Sequence, residues 1–312
     1  MKLFGSDAYT RARNFLKTRA RPLERALFEY RFEDGAETAI LAALTVFQNE
    51  DGGFGHALEP DVRTPASSAL ATGMALNLLK VLGTPYTHPL VTRAVGYLTN
   101  TFNYTQKVWR VVPPGTNDFP HAPWWHDEEG TLAQTFDNFL VIPRAQIVGL
   151  LHHYAELVDT AWLAEVTEAT VSGILTLESD AFGGGGDTLV YALSLAETET
   201  LPEAYRARLL PRLREVAAAI VSRDPAGWDS YVPTPLKIAP LPTSPVADLL
   251  DEDLQRNLDY LIEKQTANGF WEPSWSWGDT FPEAWQQARE EWRGVLTLDA
   301  LTSLRAFGRL ET

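Results

Sequence analysis

Residues 53–65 read Gly-Phe-Gly-His-Ala-Leu-Glu-Pro-Asp-Val-Arg-Thr-Pro, which places His56, Glu59, Asp61 and Arg63 in one short loop. A carboxyl group withdrawn from water keeps its proton and can act as a general acid, whereas one beside a guanidinium stays ionised as an ion-pair partner. Glu59 and Asp61 are open to either role, with Arg63 the available partner, and His56 and Arg63 are candidate ligand contacts. Asp187 is the third candidate acid; it follows the run Gly183–Gly186, a position that also suits a helix N-cap. No Gly-Lys-Ser/Thr follows that run, so it does not match a phosphate-binding loop. The chain has no Cys and no Ser or Thr in an elbow motif, which leaves nucleophilic catalysis without a candidate. His121, His126 and Asp127 are close in sequence, and His152 and His153 are adjacent on a helix, where neighbours point about 100° apart. Without a second matched ligand spacing, no metal or other cofactor is expected.

Ten Trp residues are more than core packing ordinarily uses. Trp124 and Trp125 lie in the segment His121–Glu129, and Trp275 and Trp277 in the segment Trp271–Asp279; residues 233–245 hold five prolines. Indole rings in long loops can line a site for a carbocation, an isoprenoid chain or a sugar face, and these four are the candidate ligand platforms. They can equally serve as covers over helix ends.

The elements that must position these residues are helical. Asp7–Lys17, Pro22–Phe32, Leu90–Thr99, Thr160–Leu177, Pro202–Ser222 and Leu250–Lys264 carry charge on one face, the pattern of helices turned towards water. Ala66–Leu79, Arg144–Leu157, Thr188–Glu197 and Trp292–Phe307 are apolar nearly all round and read as inner helices. Thr64-Pro65 is the expected N-cap and first position of the first of these. Few segments alternate with period two, and 108–112 is too short to seed a sheet. The expected fold is all-α, with outer and inner helices alternating around a central cavity. Inner-helix N-termini gathered at one end of it would favour carboxylates there.

The sharpest repeat is Arg256 to Trp271. Leu254, Leu258, Leu261 and Ile262 line one helix face, Gln265 sits in the last turn, Gly269 permits a turn and Trp271 can fold back over the helix end. The expected partners of the Gln265 amide are the last carbonyls of its own helix. Looser copies follow Ala39–Phe47, where Gln48 precedes Gly52-Gly53-Phe54, and follow Arg93–Leu98, where Phe102 replaces the Gln. A fourth is Arg223–Trp228. Arg256, Tyr260, Leu261, Gln265, Gly269 and Trp271 resemble the QW repeat of the terpenoid cyclases, with Asn257 where that pattern has a small residue. The resemblance implies an α/α toroid of the terpenoid cyclase and protein prenyltransferase superfamily, covering roughly residues 36–310. It also implies an isoprenoid ligand. The Asp-x-Asp-Asp acid motif of squalene-cyclase-type enzymes is absent, and the prenyltransferase zinc set requires a Cys that this chain lacks.

Composition sets the outer bounds. At 312 residues and 45% hydrophobic content, the chain is expected to form one domain over 1–312, with a helical pair in 1–35 and the repeats in 36–312. A net charge of −15 argues against a nucleic-acid partner. No long apolar run or signal-like N-terminus is present, so a cytoplasmic location without a transmembrane segment is expected. Three functions fit these readings: an isoprenoid cyclase-like or transferase-like enzyme using Asp61, Glu59 or Asp187 as acid; a non-catalytic binding or scaffold toroid; or a carbohydrate hydrolase or lyase pairing Glu59 or Asp61 with an acid such as Glu128 or Asp279. The expected partner in the first and last is a small apolar or sugar ligand.

Overall fold

A computed structural model describes residues 1–128, 130 and 139–311; Glu129 and Thr312 lie outside the described residues. Those described form twelve α-helices and no strand, only isolated bridges between single residues. The helices are α1 Ser6–Thr18, α2 Pro22–Phe32, α3 Glu37–Thr45, α4 Ala69–Val81, α5 Pro89–Thr101, α6 Arg144–His153, α7 Thr160–Thr176, α8 Asp187–Ala196, α9 Glu203–Ile220, α10 Pro235–Ile238, α11 Asp251–Glu263 and α12 Pro282–Ala306. None is long and apolar enough to cross a membrane. The chain forms two compact units: Met1–Leu44 with Gly183–Gly186 and Ala217–Thr312, and Thr45–Phe182 with Asp187–Val216.

In the second unit, α6 packs between α4 and α8. Seven of its ten residues are buried, as expected of a helix apolar all round. Gly73, in the second turn of α4, faces Gln146 and Ile147 near the start of α6, while Gly149 further along α6 faces Leu195 and Thr198 at the end of α8. Start therefore meets start and end meets end, so the three helices run parallel. Leu70 of α4, Ile142 just before α6 and Tyr191 of α8 meet in one apolar cluster with Val62, Val111 and Val112. The N-termini of the three buried helices converge there. The amphipathic α5 packs on α4 and α7 on α6; α5 turns Leu90, Val91, Ala94, Val95 and Leu98 inward.

Three helix boundaries differ from the sequence reading. The cap of α4 is Ser68, whose Oγ accepts from the Ala71 N–H at 3.0 Å, whereas Thr64 Oγ1 accepts from Ala66 N and closes a local turn. Main-chain pairing of Phe54 with Ser68 fixes that choice, because it holds Ser68 extended, with φ −133° and ψ 154°, so that the helix starts at Ala69. Asp187 is the first residue of α8 rather than its cap. The last helix starts ten residues earlier than its apolar stretch, at Pro282, a residue suited to the first helical position.

In the first unit, α1, α2 and α12 pack on one another, and Phe4 pairs with Leu310. The repeated motif is visible in atomic detail here. Trp271 Nε1 donates to Leu261 O at 2.8 Å and so folds back over α11, as its position in sequence suggests. Gln265 does not bond its own helix end: its amide donates to Gly269 O at 3.2 Å and to Ala8 O of α1 at 2.9 Å. Lys264 and its N–H already satisfy carbonyls of Tyr260 and Leu261, leaving the amide to reach the neighbouring helix. The copy in the second unit is built alike. Gln48 Nε2 donates to Gly52 O at 2.9 Å and to Leu90 O of α5 at 3.1 Å. Gly52 and Gly269 both have φ of 91°, and a side chain at either would run into the main chain of α5 at Arg93 and of α1 at Arg11 respectively. Phe54 N and Trp271 N each donate to a buried Thr of the following helix, Thr72 at 2.9 Å and Thr297 at 3.4 Å. The repeat thus joins three consecutive elements: one helix end, the next helix, and the helix after it. For the C-terminal copy, the element after α12 is α1.

The third copy keeps the geometry with altered residues. Trp109 Nε1 donates to Leu98 O at 2.7 Å, as Trp271 does to Leu261, and Lys107 takes the left-handed position two residues earlier with φ of 59°. In the fourth, Trp228 Nε1 donates to Ser222 O at 2.8 Å.

Candidate functional site

The loop carrying His56, Glu59, Asp61 and Arg63 is held shut from both ends. Asn49 Nδ2 donates to Pro65 O and Ser67 Oγ, both at 2.9 Å, and Asp51 Oδ1 accepts from Gly53 N and Ser67 Oγ. Gly55 lies so close to Pro65 and Ala66 that no side chain fits. His56 and Ala57 then take left-handed backbone angles, φ 54° and 58°, a conformation costing about 1 kcal/mol or more per residue without glycine. The far side is stapled to residues 119–122: Arg63 N donates to Pro120 O at 3.1 Å and Ala122 N to Asp61 O at 2.9 Å. This double attachment carries Glu59 and Asp61 into the interior, 8% and 3% exposed.

Glu59 Oε2 is shut off from solvent, beside a cavity of about 10 Å³ lined by Gly55, Leu58, Val62, Thr64 and Ala71 among others. That volume holds one water-sized body. On the α8 side, burial first, then the charges of Asp187 and Glu59, push the Tyr191 phenol far above its usual range. Tyr191 therefore remains a neutral O–H donor at any physiological pH, with both carboxylates within electrostatic reach. Sequence reasoning missed Tyr191, although its place four residues after Asp187 puts the two on one helix face. Trp125 packs half-buried on the apolar cluster of Val62, Leu70, Val111 and Val112 that faces these groups.

The histidines also turn out to shape the loop. His121, fully buried, donates from Nδ1 to Phe119 O at 2.6 Å, its Nε2 shares a hydrogen bond with His126 Nδ1 at 3.0 Å, and the rings stack 9° apart. Both ring nitrogens of His121 are thereby engaged. His56 is exposed, and its Nε2 bonds Asn49 Oδ1 at 2.8 Å. Arg63 NH1 donates to Pro60 O at 3.3 Å. Trp124 is 44% exposed on the short turn Pro123–Trp125.

In the second unit Glu59 and Asp187 both come within electrostatic reach of Tyr191, which packs with Trp125 on the cluster around Val62, the chain neighbour of Asp61. Trp275 and Trp277 belong to the first. There Trp275 is half-buried, edge-on to Tyr231 and Trp292. Trp277, 1% exposed against Trp285, is core and has no face to offer a ligand. Its burial follows from the early start of α12, whose first turns cover it. Glu128 and Asp279 are both exposed.

Comparison of the chain with protein-family models and with curated protein sequences gives no match. The functional reading therefore rests on geometry.

Proposed function

We propose that this chain binds a small apolar ligand of isoprenoid type at the converging N-termini of α4, α6 and α8, where the one-water cavity beside Glu59 has to widen to admit it, with Glu59 or Asp61 as proton donor. The observation that carries the reading is the burial of two carboxyl groups in one loop, Glu59 within electrostatic reach of Tyr191 and Asp61 next in the chain to Val62, whose apolar cluster carries Tyr191 and Trp125. Protonating an alkene needs an acid kept from water, and an aromatic wall stabilises the resulting cation. Asp187, half-exposed at the start of α8, is the second acid and polarises Tyr191 from the other side. The repeats built on Gln48 and Gln265, which resemble those of the terpenoid cyclases, support the same direction.

The test is a titration of Trp fluorescence with isoprenoid diphosphates, isoprenoid hydrocarbons and oligosaccharides, followed by product analysis. Saturable change with an isoprenoid, with turnover abolished in Asp61→Asn or Glu59→Gln and binding retained, is the expected result. Response to a sugar alone would replace this reading with glycoside chemistry by paired carboxylates. Silence across the panel would leave the helical scaffold as the function.

A further inference from the structure

A second site lies where the third copy of the repeat departs from the other two. In those copies a Gln amide bridges to the first turn of a neighbouring helix, α5 or α1, and a glycine lets that helix touch the loop main chain. Here Phe102 stands in the Gln position and Lys107 in the glycine position. Phe102 meets Trp162, the third residue of α7, at 5.3 Å between rings, where the other copies place the bonded carbonyls of Leu90 and Ala8. Lys107 reaches Glu165, one turn on, at 2.5 Å. A whole side chain where the other copies admit none keeps α7 away from the loop. The gap is a small open hollow of about 30 Å³, lined by Phe102, Tyr104, Trp162, Val166, Ala169 and the Lys107–Glu165 pair, with Arg144 at its wall. Trp162, Glu165, Val166 and Ala169 recur at spacings of three and four, one face of α7.

Two features select the ligand. Arg144 is 4% exposed, and its polar partners among the described residues are neutral: Nε donates to Thr170 Oγ1 at 2.7 Å and NH1 to Lys107 O. A buried guanidinium without a counter-ion among the described residues favours an anion beside it. The Trp162 indole N–H is shut off from solvent and meets no acceptor among the described residues, a deficiency that a ligand oxygen would remove. Phe102, Tyr104 and Trp162 supply flat apolar walls. Those rings alone would also suit an organic cation, but with Glu165 neutralised by Lys107, Arg144 leaves the hollow positive.

We propose that this hollow takes the head of a small monocarboxylate with a flat apolar body, the carboxylate on Arg144 and the Trp162 N–H, the body lying across the mouth against the outer face of the packed rings, where Tyr104 is 63% exposed. It is independent of the loop holding Glu59 and Asp61.

The experiment is calorimetric titration of the full chain with benzoate, benzamide and benzylammonium, checked by ligand-observed NMR. Benzoate is expected to bind one to one and at least about tenfold tighter than benzamide, the step of a single charge-assisted hydrogen bond. Trp162→Phe keeps a ring but removes the donor and should weaken benzoate about threefold to tenfold; Arg144→Met should abolish it. Because Arg144 also ties Lys107 to α7, melting curves accompany that variant, and if it fails to fold, Trp162→Phe and the benzamide comparison decide alone. Equal binding of benzoate and benzamide, preference for benzylammonium, unchanged benzoate affinity in Trp162→Phe, or no benzoate binding at about 10 mM would each overturn the proposal.

Discussion

Gly269 shows how much rests on one missing side chain. Its φ of 91° and its contact with the main chain of Arg11 predict that Gly269→Ala destabilises the protein by about 2 kcal/mol or more, measured by urea unfolding. Gly83, also left-handed but with nothing near it, should cost only about 1 kcal/mol on the same change, so the difference reports the close approach itself. Asp299 on α12 offers a pH test. Crowding by protein and the charge of Glu24, opposed by Arg31, push its carboxyl up to about 6 although the residue still meets solvent. A raised carboxyl means that the folded state binds the proton more tightly than the unfolded chain. Its contribution is therefore complete below about pH 4 and is lost as pH rises through about 6. Asp299→Asn should raise the melting temperature at pH 7.5 relative to the parent and much less at pH 4; solvent screening keeps the effect modest. An equal shift at both pH values would show that the carboxyl is not perturbed in the fold.

Among the elements, the repeated helix-end motif does work that its position in sequence does not disclose. Gln48 links its own loop to α5, and Gln265 links its loop to α1. Replacing Gln48 by Leu strands the carbonyls of Gly52 and Leu90 and should cost about 1–3 kcal/mol, with faster amide exchange at the start of α5 as the specific readout. Trp109→Phe removes the indole bond to Leu98 O and also part of a buried ring packed on Phe102 and Trp162, and should cost about 2 kcal/mol or more. That Trp would cap a helix end was legible from the Gly-x-Trp spacing. That Gln265 would reach past its own helix was not, because which carbonyls remain unsatisfied depends on how the last turn closes. The start of α4 was misplaced for a related reason: Thr64-Pro65 and Ser68 are both good start signals, and pairing of Ser68 with Phe54 decided between them.

At the level of the whole chain, the pairing of Phe4 with Leu310 and the seating of α1 on the Gln265–Gly269 turn make the N-terminal helix part of the C-terminal repeat. Deleting residues 1–18 removes the buried Ala12, Phe15 and Leu16 and should cost on the order of 5 kcal/mol. The loss should appear in thermal unfolding and as exposure of the Trp271 indole to quencher. Two local patterns, apolar periodicity and the Gln, Gly and Trp of the repeats, determined by themselves that the chain is helical, that α4, α6 and α8 are the buried helices and that Trp271 folds back over its helix end. They did so because helix formation and capping are decided within about one turn of sequence. Which predicted site residues come together was decided only by tertiary structure. Glu59 and Asp61 are buried because residues 119–122 hold their loop, Tyr191 joins them because α8 packs beside α6, and Trp277 is lost to the core because α12 starts early. Each of those outcomes depends on contacts between segments tens of residues apart, whose geometry no local spacing encodes.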